Sequence, residues 1–148
     1  YSWRGVVALV VAVGLAIAMA DLAAGIFKHQ GPLADLWPSF PARLRPMHTS
    51  EGLDFAANGY YTSYIYGTVS GHTATIVAIA LLTSVVVRRA WFSVLIWTVA
   101  TLVCYSRIYL ACHFPQDILL GAGVGIVSGV LGVLIFNTVV ALRLKRKG

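Results

Sequence analysis

The sequence predicts an all-α bundle of helices that cross a membrane, and three observations predict it. Its 148 residues are 59% apolar, with a mean hydropathy of +0.82, beyond what a water-soluble domain carries. Four apolar runs, residues 5–27, 71–87, 91–111 and 117–141, are long enough, or nearly so, to cross a hydrocarbon layer about 30 Å thick. Basic residues gather at alternate ends of these runs, as successive spans require. The expected unit is a single transmembrane domain over 1–148 with four spans and an extracytoplasmic loop at 29–69. Because it opens at Tyr1, the chain is expected to be N-terminally incomplete.

The first run ends near Phe27. It is too long for a cleaved signal peptide, and no small-residue cleavage site follows it. The 41 residues of 29–69 hold four of the five prolines and the aromatics Trp37, Phe40, Tyr60, Tyr61, Tyr64 and Tyr66. A loop of that length is expected to be functional, and it reads either as an interfacial aromatic belt or as a lid beside a lipid headgroup. The second run opens with Ser70-Gly71-His72 and ends at Arg88-Arg89, where a tight basic turn sends the third run back toward "SRIYLACH". Pro115 suits the first turn of the fourth helix, where its missing N–H costs nothing. His113 therefore falls in a short corner and Asp117 in the following first turn. Gly121, Gly125 and Gly129 recur every four residues, the pattern of closely packed membrane helices. A nucleotide-binding reading of "GAGVG" fails because no strand precedes it. Cys104 and Cys112, both placed on the third helix, would lie about 12 Å apart, too far for a disulfide; they read as packing residues.

The net charge of +6 has two sources. Arg4, Arg88, Arg89, Arg143, Lys145, Arg146 and Lys147 mark the cytoplasmic side, facing anionic lipid. Lys28, Arg43, Arg45 and Arg107 fall on the opposite side, with all four histidines and all five acids. Nucleic acid does not explain this second set, since the chain has no soluble basic face to present.

The topology brings three clusters to one face: Lys28 with Arg45, then Ser70-Gly71-His72, then Arg107, His113 and Asp117. Cations at such depth are costly and mark function. Without matching acids they call for an anion, and arginine presents the forked donors that phosphate oxygens accept. Ser70 is placed to cap the second helix, where its hydroxyl, the nearby amides and the helix dipole would add anion donors. His29 and His48 read as structural or interfacial. Asp21, two turns before Lys28 on one helix face, reads either as a packing partner or as a group near the site.

These residues carry a resemblance. "SRIYLACHFPQD" resembles the third motif of the type 2 phosphatidic acid phosphatase superfamily, Ser-Arg, five residues, His, three residues, Asp. "VSGH" resembles the second motif, with Val69 where the family has proline, and "RLRP" the end of the first motif, Lys, six residues, Arg-Pro. Lys28 precedes Arg45 by seventeen positions, so a loop insertion separates them if Lys28 is the motif lysine; Arg43 is the alternative third cation. The resemblance implies six spans in the full protein. It implies that His113 is the nucleophile that becomes phosphohistidine, that Asp117 accepts its other N–H, and that His72 protonates the leaving oxygen. Arg107, Arg45, Ser70, the Gly71 amide and Lys28 would hold the phosphate oxygens. No cofactor is expected, and a zinc site finds no His-x₃-His pair or thiolate cluster. The expectation is a bacterial cytoplasmic-membrane phosphatase with an outward-facing site. Undecaprenyl diphosphate is placed first among substrates, ahead of phosphatidylglycerol phosphate and lipid A. A phosphotransferase is a second class. A haem-binding subunit is a third, disfavoured because the histidines do not pair across helix interiors.

Overall fold

The computed structural model describes residues 3–49 and 65–145, excepting the side chains of 143–145. The expectations for Tyr60, Tyr61, Tyr64, Arg146 and Lys147 lie outside the described residues, as do the side chains of Arg143 and Lys145. Four helices form a polytopic bundle: α1 (Trp3–Lys28), α2 (Gly71–Val87), α3 (Ala90–Tyr109) and α4 (Pro115–Lys145). Of these, α1, α3 and the Pro115–Leu142 part of α4 are long and apolar enough to cross a membrane. The fourth expected span, α2, has 17 residues, about 26 Å at 1.5 Å per residue. It is the central helix, packed by α1, α3 and α4.

Small side chains set the packing. Ala8, Ala12, Ala16, Ala20 and Ala24 recur every fourth residue on α1, and all are buried. On α4, a Cβ added at Gly121, Gly125 or Gly129 would sit 2.6, 2.5 or 3.1 Å from the carbonyl oxygens of Ser70, Ala74 and Ala78. Two four-residue rows therefore run in register, backbone against backbone. Lipid supplies no hydrophobic drive for association, so close van der Waals contact of this kind must hold the helices together.

The helix ends position the site. Both α1 and α3 finish in a left-handed residue, His29 and Ala111, each at φ 51. At α3, the Ala111 amide donates to Ile108 O and the Cys112 amide to Arg107 O; at α1, His29 and Gln30 donate in the same way to Ile26 and Gly25. This double hydrogen bond is the Schellman cap, here built without glycine. It ends α3 before Cys112, so Cys112 lies in the corner and not on the helix; both cysteines are free thiols.

Trp37 and Phe40 fold onto Phe27, with ring centroids 6.2 and 5.1 Å from it. The Tyr66 ring meets His29 edge-on at 6.1 Å. The chain then returns through a 3-10 turn at Pro46–His48. An isolated antiparallel bridge joins Leu44 to Tyr66. The two arms of the long loop therefore meet beside the corner that follows α3.

Candidate active site

His113 is buried in that corner, 2% exposed. Its amide, like that of Cys112, bonds the Arg107 carbonyl, so the cap that ends α3 also sets the spacing from Arg107 to His113. The ring is held from both sides. Nδ1 lies 2.8 Å from the Gly67 carbonyl oxygen, an acceptor only, so Nδ1 carries the proton and donates it. Nε2 keeps its lone pair and faces Arg45 Nη1 at 3.3 Å.

Asp117 departs from its expected contact. Its Oδ2 is 3.7 Å from His113 Nδ1, outside hydrogen-bond range, and the Gly67 carbonyl takes that proton in its place. The reason is local. Asp117 stands at the third position of α4, and its Oδ2 accepts the Phe114 amide at 2.9 Å, the reach-back of an acid in a capping box. Oδ1 accepts from Arg43 Nη2. The carboxylate is fully buried and flanks the imidazole without bonding it.

Arg45 is fastened by its backbone and its side chain. Its amide donates to Ile65 O at 3.0 Å, Nε to Tyr66 O at 3.1 Å and Nη1 to Cys112 O at 3.3 Å. Burial pushes the Cys112 thiol up from its ordinary pKa, which leaves it a protonated packing group with a structural carbonyl.

A cavity of about 1290 Å³ lies beside the ring, and Lys28, Arg45, Gly71, His72 and His113 line it together. Lys28 is 8% exposed, and its Nζ lies 3.0 Å from where a Gly71 side chain would begin. The lysine therefore reaches the first turn of α2, and the residues between Lys28 and Arg45 leave and return as the aromatic turn on Phe27. Arg43, the alternative cation, faces a separate hollow, lined with Phe114, Pro115 and Gln116. His72 is the second residue of α2, exposed to the cavity and within electrostatic reach of Arg107, His113, Lys28 and Arg45. Arg107 is half-buried and within electrostatic reach of His72, but it does not line the cavity; its Nε donates to Ser106 Oγ at 3.2 Å.

Ser70 corrects an expectation. It does cap α2, but its hydroxyl is fully buried and accepts from the Thr73 amide at 3.3 Å and the Thr73 hydroxyl at 3.0 Å. It is not part of the cavity wall: Ser70 packs against Gly121 of α4, and its amide is tied to Asp117 O. Among the described residues, no group of three His, Cys, Asp or Glu side chains could hold a metal ion.

Two contributors were missed from sequence. Gly67 lacks any local signal beyond its being glycine: a Cβ there would lie 2.7 Å from Arg45 Cγ and 3.4 Å from His113 Nδ1, so only glycine fits between them. Arg43 reads from the sequence only as a phosphate cation; in the structure it is the partner of Asp117 and, at 2.7 Å, of Gln116.

A polytopic helical bundle that gathers a buried histidine, a second histidine, Lys28 and Arg45 around one cavity has the donors and charge to receive an anion. The particular family follows from comparison: the PAP2 superfamily profile matches residues 7–141, and the chain belongs to that superfamily. A lipid A 4'-phosphatase of Porphyromonas gingivalis is 42% identical over 91 residues, covering 61% of this chain and 39% of that relative. A lipid A 1-phosphatase of the same organism is 40% identical over 99 residues, 66% of this chain and 19% of the relative. A lipid A 4'-phosphatase of Bacteroides thetaiotaomicron is 29% identical over 144 residues, 95% of this chain and 60% of the relative. The chain thus spans less than two thirds of each of these relatives. No solved structure matches it.

Proposed function

We propose that this chain carries the catalytic centre of a membrane phosphatase that removes phosphate from a lipid, through a phosphohistidine on His113. The observation that carries the reading is the state of His113: Nδ1–H is committed to Gly67 O, and the Nε2 lone pair points at Arg45 beside a cavity walled by Lys28 and His72. A nucleophile with its proton on the far nitrogen needs no base to activate it.

The reaction has two steps. The His113 Nε2 lone pair forms a bond to phosphorus while the bond to the lipid oxygen breaks, and that oxygen takes a proton from His72. His72, now neutral, accepts a proton from water as the water oxygen attacks phosphorus; the P–N bond breaks, returning His113 and inorganic phosphate. Arg45, Lys28, Arg107 and the Gly71 amide neutralise the nonbridging oxygens. Asp117 lies near enough to steady the imidazolium that forms in between. No step requires a metal.

The three relatives, lipid A phosphatases by name, favour a lipid A type of phosphate over undecaprenyl diphosphate as the substrate. The division of Arg4, Arg88 and Arg89 from Lys28, Arg45 and Arg107 supports a site facing away from the cytoplasm. The bacterial cytoplasmic membrane is the setting that follows.

The test uses purified protein in detergent with EDTA and ³²P-labelled lipid A. The expected result is release of inorganic phosphate and, on acid quench, labelled protein; His113→Ala should show neither. Equal labelling of both proteins would overturn the nucleophile, and label passing to a second lipid would make the protein a transferase. For orientation, Ser39→Cys should react with an impermeant maleimide in intact cells whose outer barrier has been opened. Reaction only after lysis would reverse the topology.

A further inference from the structure

An acid stands inside the apolar run of α1. Asp21 precedes Lys28 by seven residues, so it lies roughly 10 Å deeper along the helix, at a depth where charge is costly. Packing does not explain it: Asp21 is exposed and lines the same cavity as Lys28, His72 and His113. Its Oδ1 lies 3.5 Å from the point where a Gly71 side chain would begin, the point that Lys28 Nζ approaches to 3.0 Å. The carboxylate therefore edges the phosphate site from its membrane side. The side-chain ion pairs among the described residues both belong to Asp117, so Lys28 does not hold Asp21 at contact distance. Leu22, Ile76 and Val103 also line this cavity and give it apolar wall.

A carboxylate in this place repels a phosphate and offers nothing to a hydrocarbon chain. For a substrate that is only phosphate and hydrocarbon, it works against binding. It suits a molecule with N–H or O–H donors a few bonds from the phosphate, because a carboxylate is an acceptor of such bonds. An acylated amino-sugar phosphate has amide and hydroxyl donors there; an isoprenyl monophosphate has none. Resting on the lipid-phosphatase reading, we propose that Asp21 is a specificity residue whose carboxylate accepts a hydrogen bond from the sugar of the substrate, selecting phosphorylated glycolipids over lipid phosphates without donors.

The experiment compares phosphate release from lipid A and from an isoprenyl monophosphate by the wild type and by Asp21→Asn, in the same detergent. Removing the acid should lower kcat/KM on lipid A about tenfold or more, the worth of one hydrogen bond to a charged group. It should raise kcat/KM on the isoprenyl monophosphate a few-fold, as the repulsion is lifted. Both changes should fall mainly on KM. Equal losses on both substrates at an unchanged melting temperature, or no change on either, would overturn the proposal. If Asn unfolds the bundle, Asp21→Glu, which moves the carboxylate by one methylene, should shift the ratio of the two rates, and an unshifted ratio would overturn it. A wild type that cleaves neither lipid would overturn the phosphatase reading itself.

Discussion

The two sides of the His113 ring are built on different principles. On the Nδ1 side, the ring and the carboxylate have intramolecular partners: the ring N–H has the Gly67 carbonyl, and Asp117 has the Phe114 amide and Arg43. The imidazole N–H and the carboxylate on that side are held without a ligand. On the Nε2 side, Lys28, Arg45, His29 and His72 share a cavity with a single acid among the described lining residues, Asp21. Its electrostatics call for an anion. The backing therefore supplies geometry and the cavity supplies affinity, and substitutions should sort accordingly. Damage to the backing should cost stability and activity together, whereas damage to the cavity should cost activity while stability holds or rises, since like charges are being relieved.

The largest effect is expected at Gly67. A methyl group there would lie 2.7 Å from Arg45 Cγ, and Arg45 has little room to move because its backbone and side chain are both fastened. Gly67→Ala should lower kcat/KM by more than about 10²-fold and also lower the melting temperature, the ring and the arginine being displaced together. Wild-type activity in this variant would show that the backing does not set the geometry.

On the cavity side, Lys28→Met should lower kcat/KM by about 10²-fold, or about 2.8 kcal/mol, with a melting temperature equal to or above wild type. Lys28→Arg should recover only part, because the fork needs other positions than a point charge. Activity within a few-fold of wild type in Lys28→Met would mean that the ammonium merely snorkels.

The smallest effect is expected from Arg43→Met. The Asp117 carboxylate is fully buried, but the Arg43 side chain is 39% exposed, so solvent screens part of the pair. A loss of roughly tenfold or less in activity should accompany a melting temperature lowered by a few degrees. Adding Asp117→Asn should restore part of the stability, because the orphaned charge is then gone. A double variant no more stable than Arg43→Met alone would show that the ion pair does not hold the backing.

The helices differ in a parallel way. The faces joining α1, α2 and α4 are a seam of alanine and glycine in backbone contact, whereas Ala100 alone is buried along α3. Yet α3 delivers Arg107 and, through its cap, His113. Its functional weight lies in its last turn, and its apolar body is outward surface that lipid can solvate.

Much of this was legible along the chain because it is local. Hydropathy sets four helices; the glycines every four residues on α4 set one packing row; Pro115 starts α4, and the spacing of Arg107, His113 and Asp117 follows from a Schellman cap and one helical turn. These need no information beyond a few neighbouring residues. The rest depends on partners distant in sequence. His113 finds its acceptor 46 residues away, brought there by the bridge of Leu44 to Tyr66. Lys28 and Arg43 carry the same formal charge, and only the path of the returning loop sends one to the cavity and the other to Asp117. Ser70 is correctly read as a cap, but a capping hydroxyl must point at its own helix, and packing against Gly121 turns it inward. Asp21 could be packing or site, since helical periodicity gives its face but not what stands opposite; only the arrival of α2 with Gly71 puts it on the cavity wall. A sequence determines periodicity, charge and local caps because these act over one or two turns, while the choice of partner for a proton or an ion is made only when distant segments compete for the same space.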